Sequence, residues 1–145
     1  MSKPFIHSQS SVRRWGGIPE DYLPIHDWFD ETKAIIADSR HRALRHHSEG
    51  IFLCEKIFGT NITNSDGKKV SVRDVGEQHV LEDFHNRFIP TAQDYLQEME
   101  YKDWMNNGAG SPPSYAKINA HRQNKLKKSM GRVEREEKKP LELAD

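Results

Sequence analysis

One cysteine, Cys54, stands in the 145-residue chain. A lone cysteine excludes an intrachain disulfide and any zinc site built from thiolates. It makes a reducing compartment the simplest expectation. Cys54 lies in an apolar run at helical spacing, so it reads as a small buried hydrophobe rather than a nucleophile. Long hydrophobic runs are absent too. No stretch approaches the 18 apolar residues of a membrane span, and no apolar signal core follows Met1. The chain is therefore expected to be soluble and cytoplasmic, with no membrane partner. There is no Gly-x-Ser-x-Gly elbow, and neither a P-loop nor a dinucleotide-binding glycine motif occurs.

Apolar residues are scarce as well, at 34% with a mean hydropathy of −0.89. They concentrate in residues 22–104. Charge is split in the same way. Up to Trp104 there are 13 basic against 17 acidic residues, and from Met105 onward 9 against 5. The formal net charge of zero thus hides an acidic body and a basic tail. The Gly, Pro and Ser of "NNGAGSPPS" mark a linker between them. The expected organisation is a single helical domain over residues 1–105, then a flexible basic tail over 106–145 that is disordered or marginally helical. Within the tail, Lys117, Arg122, Lys125, Lys127 and Lys128 lie in an acid-free segment suited to nucleic acid or another polyanion. The mixed charges of "VEREEKK" directly after it favour plain solvation instead.

Within the body, Gly16-Gly17, Pro19 and Pro24 suggest an irregular leader over residues 1–24, pinned by Trp15 and Tyr22. The spacing predicts helix from about Ile25 to Phe58. This is read as two helices, 25–47 and 50–58, or one that bends at Gly50. Asn64-Ser65-Asp66-Gly67 between apolar positions predicts a two-stranded hairpin near 61–73. "GEQHVLEDFHNRF" returns to helix, and Thr91 suits the cap of a further helix running through "TAQDYLQEMEYKDWM". The fold class expected is α+β, mainly α-helical, with a short two-stranded hairpin.

Against this background the histidines stand out. His26–Asp30 and His79–Asp83 are two His-x-x-x-Asp units, and on a helix residues i and i+4 share a face. Continuing from His26 and Asp30 along one long helix, through Ala34 and Ala37, reaches His41. Small alanines would leave room for the second unit to approach. His26, Asp30, His41, His79 and Asp83 are therefore the candidate metal ligands. Their N/O set suits a divalent ion but does not separate Zn, Mn, Fe or Ni. A His–Asp pair at this spacing is also an ordinary surface pair, worth a few tenths of a kcal/mol. Were the chain an enzyme, Glu77 or Glu82 would be placed to take a proton from metal-activated water.

His46 and His47 are consecutive and so point about 100° apart on a helix. His47 falls on the apolar line of Phe29, Ile36 and Ala43, which suggests a buried, hydrogen-bonded role. His46 falls near Ser39 and Arg42 and is expected to face water. The order His7, His26-Asp27, Asp83 matches the His…His-Asp…Asp pattern of metal phosphohydrolases, a match that arises easily by chance and puts His7 in a loop. Arg13, Arg14, Arg40, Arg42 and Arg45 offer a clamp for an anion such as phosphate. Pairing with Asp38 and Glu49 on a solvated face accounts for them more simply.

"RWGGIPEDYLPIHDWFDETKAIIADSRHRALRHHSEGIF" followed by "FGTNITNSDGKKVSVRDVGEQHVLEDF" resembles a family of small, uncharacterised bacterial and phage proteins classed as a domain of unknown function. The resemblance covers about residues 11–90. Members read Gly-Arg-Ile-Pro after the "HVxED" unit, where this chain has the longer "FHNRFIP". The resemblance implies no activity, and a phage origin would place the protein in a host cytoplasm. Two functions are carried forward. One is a metal-binding protein acting as a metal-dependent hydrolase. The other is a non-enzymatic phage or mobile-element protein that binds a host protein or nucleic acid. The sequence leaves open which of them is an accurate description, and is silent on a virion role.

Overall fold

Helix α1 spans Pro4–Trp15. Pro4 opens it at a position where a missing N–H costs nothing. The leader expected to be irregular is thus a helix. Its glycines do not dissolve it but end it, with the Gly16 N–H bonded to the Val12 carbonyl at 2.8 Å. This is a computed structural model describing residues 3–106, 110 and 124–130. It falls into two units, Met1–Met99 and Glu100–Asp145.

Helix α2 (Leu23–Asp30) follows a tight turn over Pro19–Asp21. The long helix expected through residue 47 is broken after Asp30. Thr32 turns its hydroxyl to the His41 ring, 2.8 Å from Nδ1. Asp38 is extended and accepts the Arg40 N–H on its carboxylate. Such local side-chain bonds offer the backbone an alternative to helix. Two short 3-10 turns, Glu31–Ala34 and Ser39–His41, replace the helix, and α3 is only Arg42–Arg45. Helix α4 (Ser48–Phe58) begins at His47, whose Nδ1 accepts the Gly50 N–H and whose Nε2–H donates to the Ala43 carbonyl. That is the buried, hydrogen-bonded role expected of His47. The break lies at His46–His47 rather than at Gly50.

Strands β1 (Asn61–Thr63) and β2 (Lys69–Ser71) form the expected antiparallel hairpin, with Ile62 opposite Val70. Asn64 organises its turn. Asn64 Oδ1 accepts from the Asp66 and Lys68 amides, and its side-chain NH2 donates to the Trp15 carbonyl and the Tyr22 hydroxyl. Asp21 accepts from both the amide and hydroxyl of Ser65. The hairpin is therefore tied to the α1–α2 connection. Trp15 and Tyr22 do pin this region, with ring centroids 6.0 Å apart and Tyr22 fully buried.

Helix α5 (Val72–Asp83) is capped by the Ser71 hydroxyl. Helix α6 (Ala92–Leu96) has the expected Thr91 cap, completed by Asp94, but is shorter than the sequence suggested. Helices α1, α2, α4 and α5 enclose a core of Tyr22, Ile25, Trp28, Phe29, Ile51, Cys54, Val70, Val72, Val75 and Val80. Burial pushes the Cys54 thiol up to about 12, consistent with its inert role. The fold is mainly α-helical with one hairpin, as expected.

In the second unit, residues 124–130 are helical, and Lys125, Lys127 and Lys128 are exposed on them. Lys117 and Arg122 lie outside the described residues. Among the described residues no helix is long and apolar enough to cross a membrane.

Candidate metal centre

Five histidines, His7, His26, His41, His46 and His79, are at most 1% exposed. Buried polar rings must be hydrogen-bonded or ligated, because stripping them of water is costly otherwise. Helix α2 supplies Asp30 from its last position, and α5 supplies His79 and Asp83 one turn apart. The junction of α3 and α4 supplies His46. One ligand atom from each of these four lies within 4.8 Å of the other three, so the group could hold a metal ion. His46 Nε2 is 3.0 Å from Asp83 Oδ2, 3.5 Å from Asp30 Oδ1 and 3.2 Å from His79 Nε2. His79 Nε2 is 3.4 Å from Asp30 Oδ1 and 3.3 Å from Asp83 Oδ2. Ligand bonds of about 2.0–2.1 Å around a tetrahedral ion require ligand–ligand edges of about 3.3–3.4 Å, and the five separations scatter around that value.

Burial raises the carboxyl pKa of Asp30 and Asp83, but the hydrogen bonds from His46 and neighbouring imidazoles outweigh it. Both are held below the ordinary carboxylate range. They are therefore ionised and ready to bind a cation.

Hydrogen-bond directions behind His79 can be deduced from acceptors outward. The Gln78 NH2 donates to the His7 carbonyl and to Glu82 Oε1, which fixes its amide. Gln78 Oε1 therefore accepts from the Ser11 hydroxyl at 2.7 Å. Ser11 Oγ then accepts from His26 Nε2–H at 2.8 Å. Burial, and then the neighbouring His79 and His7 rings, lower the His26 pKa to about 2, so its other nitrogen is bare. His26 Nδ1 accepts from His79 Nδ1–H at 2.9 Å. His79 Nε2 is left facing two carboxylates. That nitrogen is the one placed to offer a lone pair to a cation. An outer chain of this kind fixes the tautomer of a ligating imidazole.

Of the five residues nominated from sequence, Asp30, His79 and Asp83 come together here. His26 touches His79 from behind instead of facing the carboxylates. His41 bonds Thr32 and meets His46 edge-on, with centroids 5.1 Å apart. On one continuous helix His41 would stand in line with His26 and Asp30, and the break after Asp30 removes that alignment. His46, expected at the surface, is fully buried. Its backbone leaves the helical path (φ −84, ψ 65), which cancels the periodicity used to place it.

His7 is on a helix, not in a loop. Its Nδ1 is 3.0 Å from Glu82 Oε1 and its Nε2 3.2 Å from Asp83 Oδ1. Burial opposes the charged ring, but the bonds to Asp83 and Glu82 prevail and raise its pKa to about 9. Asp27 is exposed, so the phosphohydrolase-like pattern is not assembled. Glu77 lines a surface groove of about 350 Å³ with Arg14, Trp15, Asp74, Gln78 and Leu81, away from the cluster's ligand atoms.

No curated protein and no solved structure matches the chain. A family match extends over residues 2–105 and includes all four clustered residues. The chain thus belongs to the family described as Domain of unknown function (DUF6915).

Proposed function

We propose that the protein binds one divalent transition-metal ion through Asp30, His46, His79 and Asp83, and that the bound ion serves a hydrolytic reaction. The observation that carries the first part is the set of 3.0–3.5 Å separations among two imidazole nitrogens and two ionised carboxylates. Two nitrogens and two oxygens suit Zn, Mn, Fe or Ni alike. A tetrahedral ion would be saturated by four protein ligands, the hallmark of a structural site. A six-coordinate ion would keep two positions for water, which it would acidify and hold as a nucleophile. Glu82 and His7, hydrogen-bonded beside Asp83, are the groups placed to hold a proton next to such an ion. Glu77 is not.

Metal analysis of protein purified without chelator is expected to find about one ion per chain. Removing it with EDTA is expected to lower Tm by about 10 °C or more. An ion held at 100–1,000 times its Kd contributes about 2.7–4.1 kcal/mol, and each kcal/mol moves Tm by about 4–8 °C in a body of this size. A protein free of metal whose Tm ignores both EDTA and added ions would refute the reading.

A second proposal concerns the tail, as a contact for nucleic acid or another polyanion. Exposed Lys125, Lys127 and Lys128 support it. Deleting residues 106–145 is expected to abolish salt-sensitive retention on heparin or DNA while leaving the melting of the body unchanged. Retention equal to that of the full chain would refute it.

A further inference from the structure

Building on the metal-binding reading, we infer that the centre takes a phosphate-type dianion as ligand or substrate group, met by Arg42 and Lys33. The imidazoles of His46 and His79 are 0% exposed, whereas the Asp30 and Asp83 side chains are 7% and 3% exposed. The cluster is nearly closed, and its carboxylates are its least covered members. Each of these has a cation at its second oxygen. Lys33 Nζ is 3.5 Å from Asp30 Oδ2, and Arg42 Nη2 is 3.8 Å from Asp83 Oδ1. Both separations exceed the roughly 2.7–2.9 Å of a charge-assisted hydrogen bond. Asp30 Oδ2 has no hydrogen-bond partner, and neither has the buried Arg42 Nε.

The other arginines of the proposed clamp are engaged elsewhere. Arg40 is bidentate on Asp38, Arg45 bonds Glu31 and the Trp28 carbonyl, Arg13 bonds Ser10, and Arg14 lies over Trp15. Arg42 alone of the five reaches a clustered carboxylate.

A divalent ion would neutralise Asp30 and Asp83 together. His7, also on Asp83 Oδ1 at 3.2 Å, keeps Glu82 as its partner, so Arg42 and Lys33 would then be the two cations beside the cluster without a carboxylate each. That surplus matches a dianion better than a monoanion. A six-coordinate ion, with positions beyond the four protein ligands, could take one oxygen of a tetrahedral oxyanion and leave others to the planar guanidinium fork. Free phosphate and a phosphate monoester share this chemistry.

The test uses full-length protein. Mn(II) is titrated first, by electron paramagnetic resonance. Failure to take up Mn(II) or Zn(II) overturns both the metal reading and this one. With Mn(II) bound, inorganic phosphate and phenyl phosphate are added separately and followed by 31P line broadening, with acetate affinity measured by calorimetry. Both phosphates are expected to broaden and to bind more tightly than acetate. A response to inorganic phosphate alone assigns the site to the free ion, and a response to phenyl phosphate alone to the ester. Arg42→Gln is expected to keep Mn(II) uptake and lose phosphate affinity by about ten- to a hundredfold, the scale of one charge-assisted contact. Arg42→Lys is expected to lose less, and Lys33→Gln gives the same test should Arg42→Gln fail to fold. Full Mn(II) uptake with no phosphate broadening, phosphate no tighter than acetate, or both variants indistinguishable from the parent would overturn the inference and leave the metal reading intact.

Discussion

Replacing His46 by alanine is expected to cost more metal affinity than replacing any histidine outside the cluster. His46 Nε2 is within 3.5 Å of all three other members of the cluster. The two histidines nearest to it in sequence are engaged elsewhere: His41 has its Nδ1 on Thr32, and His47 caps α4. Outer partners of a ligating imidazole typically contribute ten- to a hundredfold in affinity. His26→Ala, which removes the acceptor behind His79, should fall in that range. His46→Ala should exceed it, with little metal-induced rise in Tm left. His41→Ala should leave uptake close to the parent. The order is read directly by calorimetric titration of Zn(II) or Mn(II) into the variants. A His41 variant that loses metal while the His46 variant keeps it would show that the ligand set is wrong. The metal-free His46 variant is also informative. It leaves Asp83 and Asp30 buried with fewer donors, and a buried charge losing its partner costs about 3–5 kcal/mol. The variant should therefore be less stable than the parent even in EDTA.

Gly50→Ala is expected to be the most damaging small substitution in the body. Gly50 lies buried in the first turn of α4, where a Cβ would stand 1.8 Å from the Arg45 carbonyl oxygen and 2.6 Å from its carbon. Both are backbone atoms and cannot swing aside. Helices α3 and α4 would have to move apart, at a cost at or above the 1–3 kcal/mol usual for overpacking, so about 3 kcal/mol or more. The damage should also reach the cluster, because Arg45 directly precedes His46. Urea denaturation with and without metal should show a lowered midpoint together with a smaller metal effect. Gly67→Ala is the control. Nothing lies within 4 Å of its Cβ position, but its φ of +80° imposes a strain of about 1–2 kcal/mol. That change should lower stability modestly without touching metal binding. A Gly50 variant as stable as the Gly67 variant would contradict the packing at the α3–α4 junction.

The sequence made some of this legible. The hairpin followed from Asn64-Ser65-Asp66-Gly67, the α6 cap from Thr91, and the Asp83–His79 pairing from i,i+4 spacing on an unbroken helix. In each case the signal was local and complete within a few residues. What escaped came from backbone breaks that side chains impose from a distance. Thr32 reaching His41 across nine residues, and Asp38 capping a single turn, cut a pattern that looked continuous to residue 47. A helix extended through them carries His41 into the ligand set and His46 out of it. His7 escaped for the opposite reason. The Gly-Pro signals at 16–19 terminate a helix and say nothing of the segment before them. Its burial between Glu82 and Asp83 depends on tertiary contacts 75 residues apart in sequence, which no local pattern encodes.

The Asn64 side chain gives the hairpin a part in the chemistry that its own strands do not show. By holding the Trp15 carbonyl and the Tyr22 hydroxyl, it ties the end of α1 to the start of α2. Helix α1 is the element that presents Ser11 to His26 and His7 to Asp83. A turn that lends no atom to the cluster therefore acts as its alignment pin. A shortened relative that dropped the hairpin would keep Asp30, His46, His79 and Asp83 in its sequence while losing the element that registers the rings behind them.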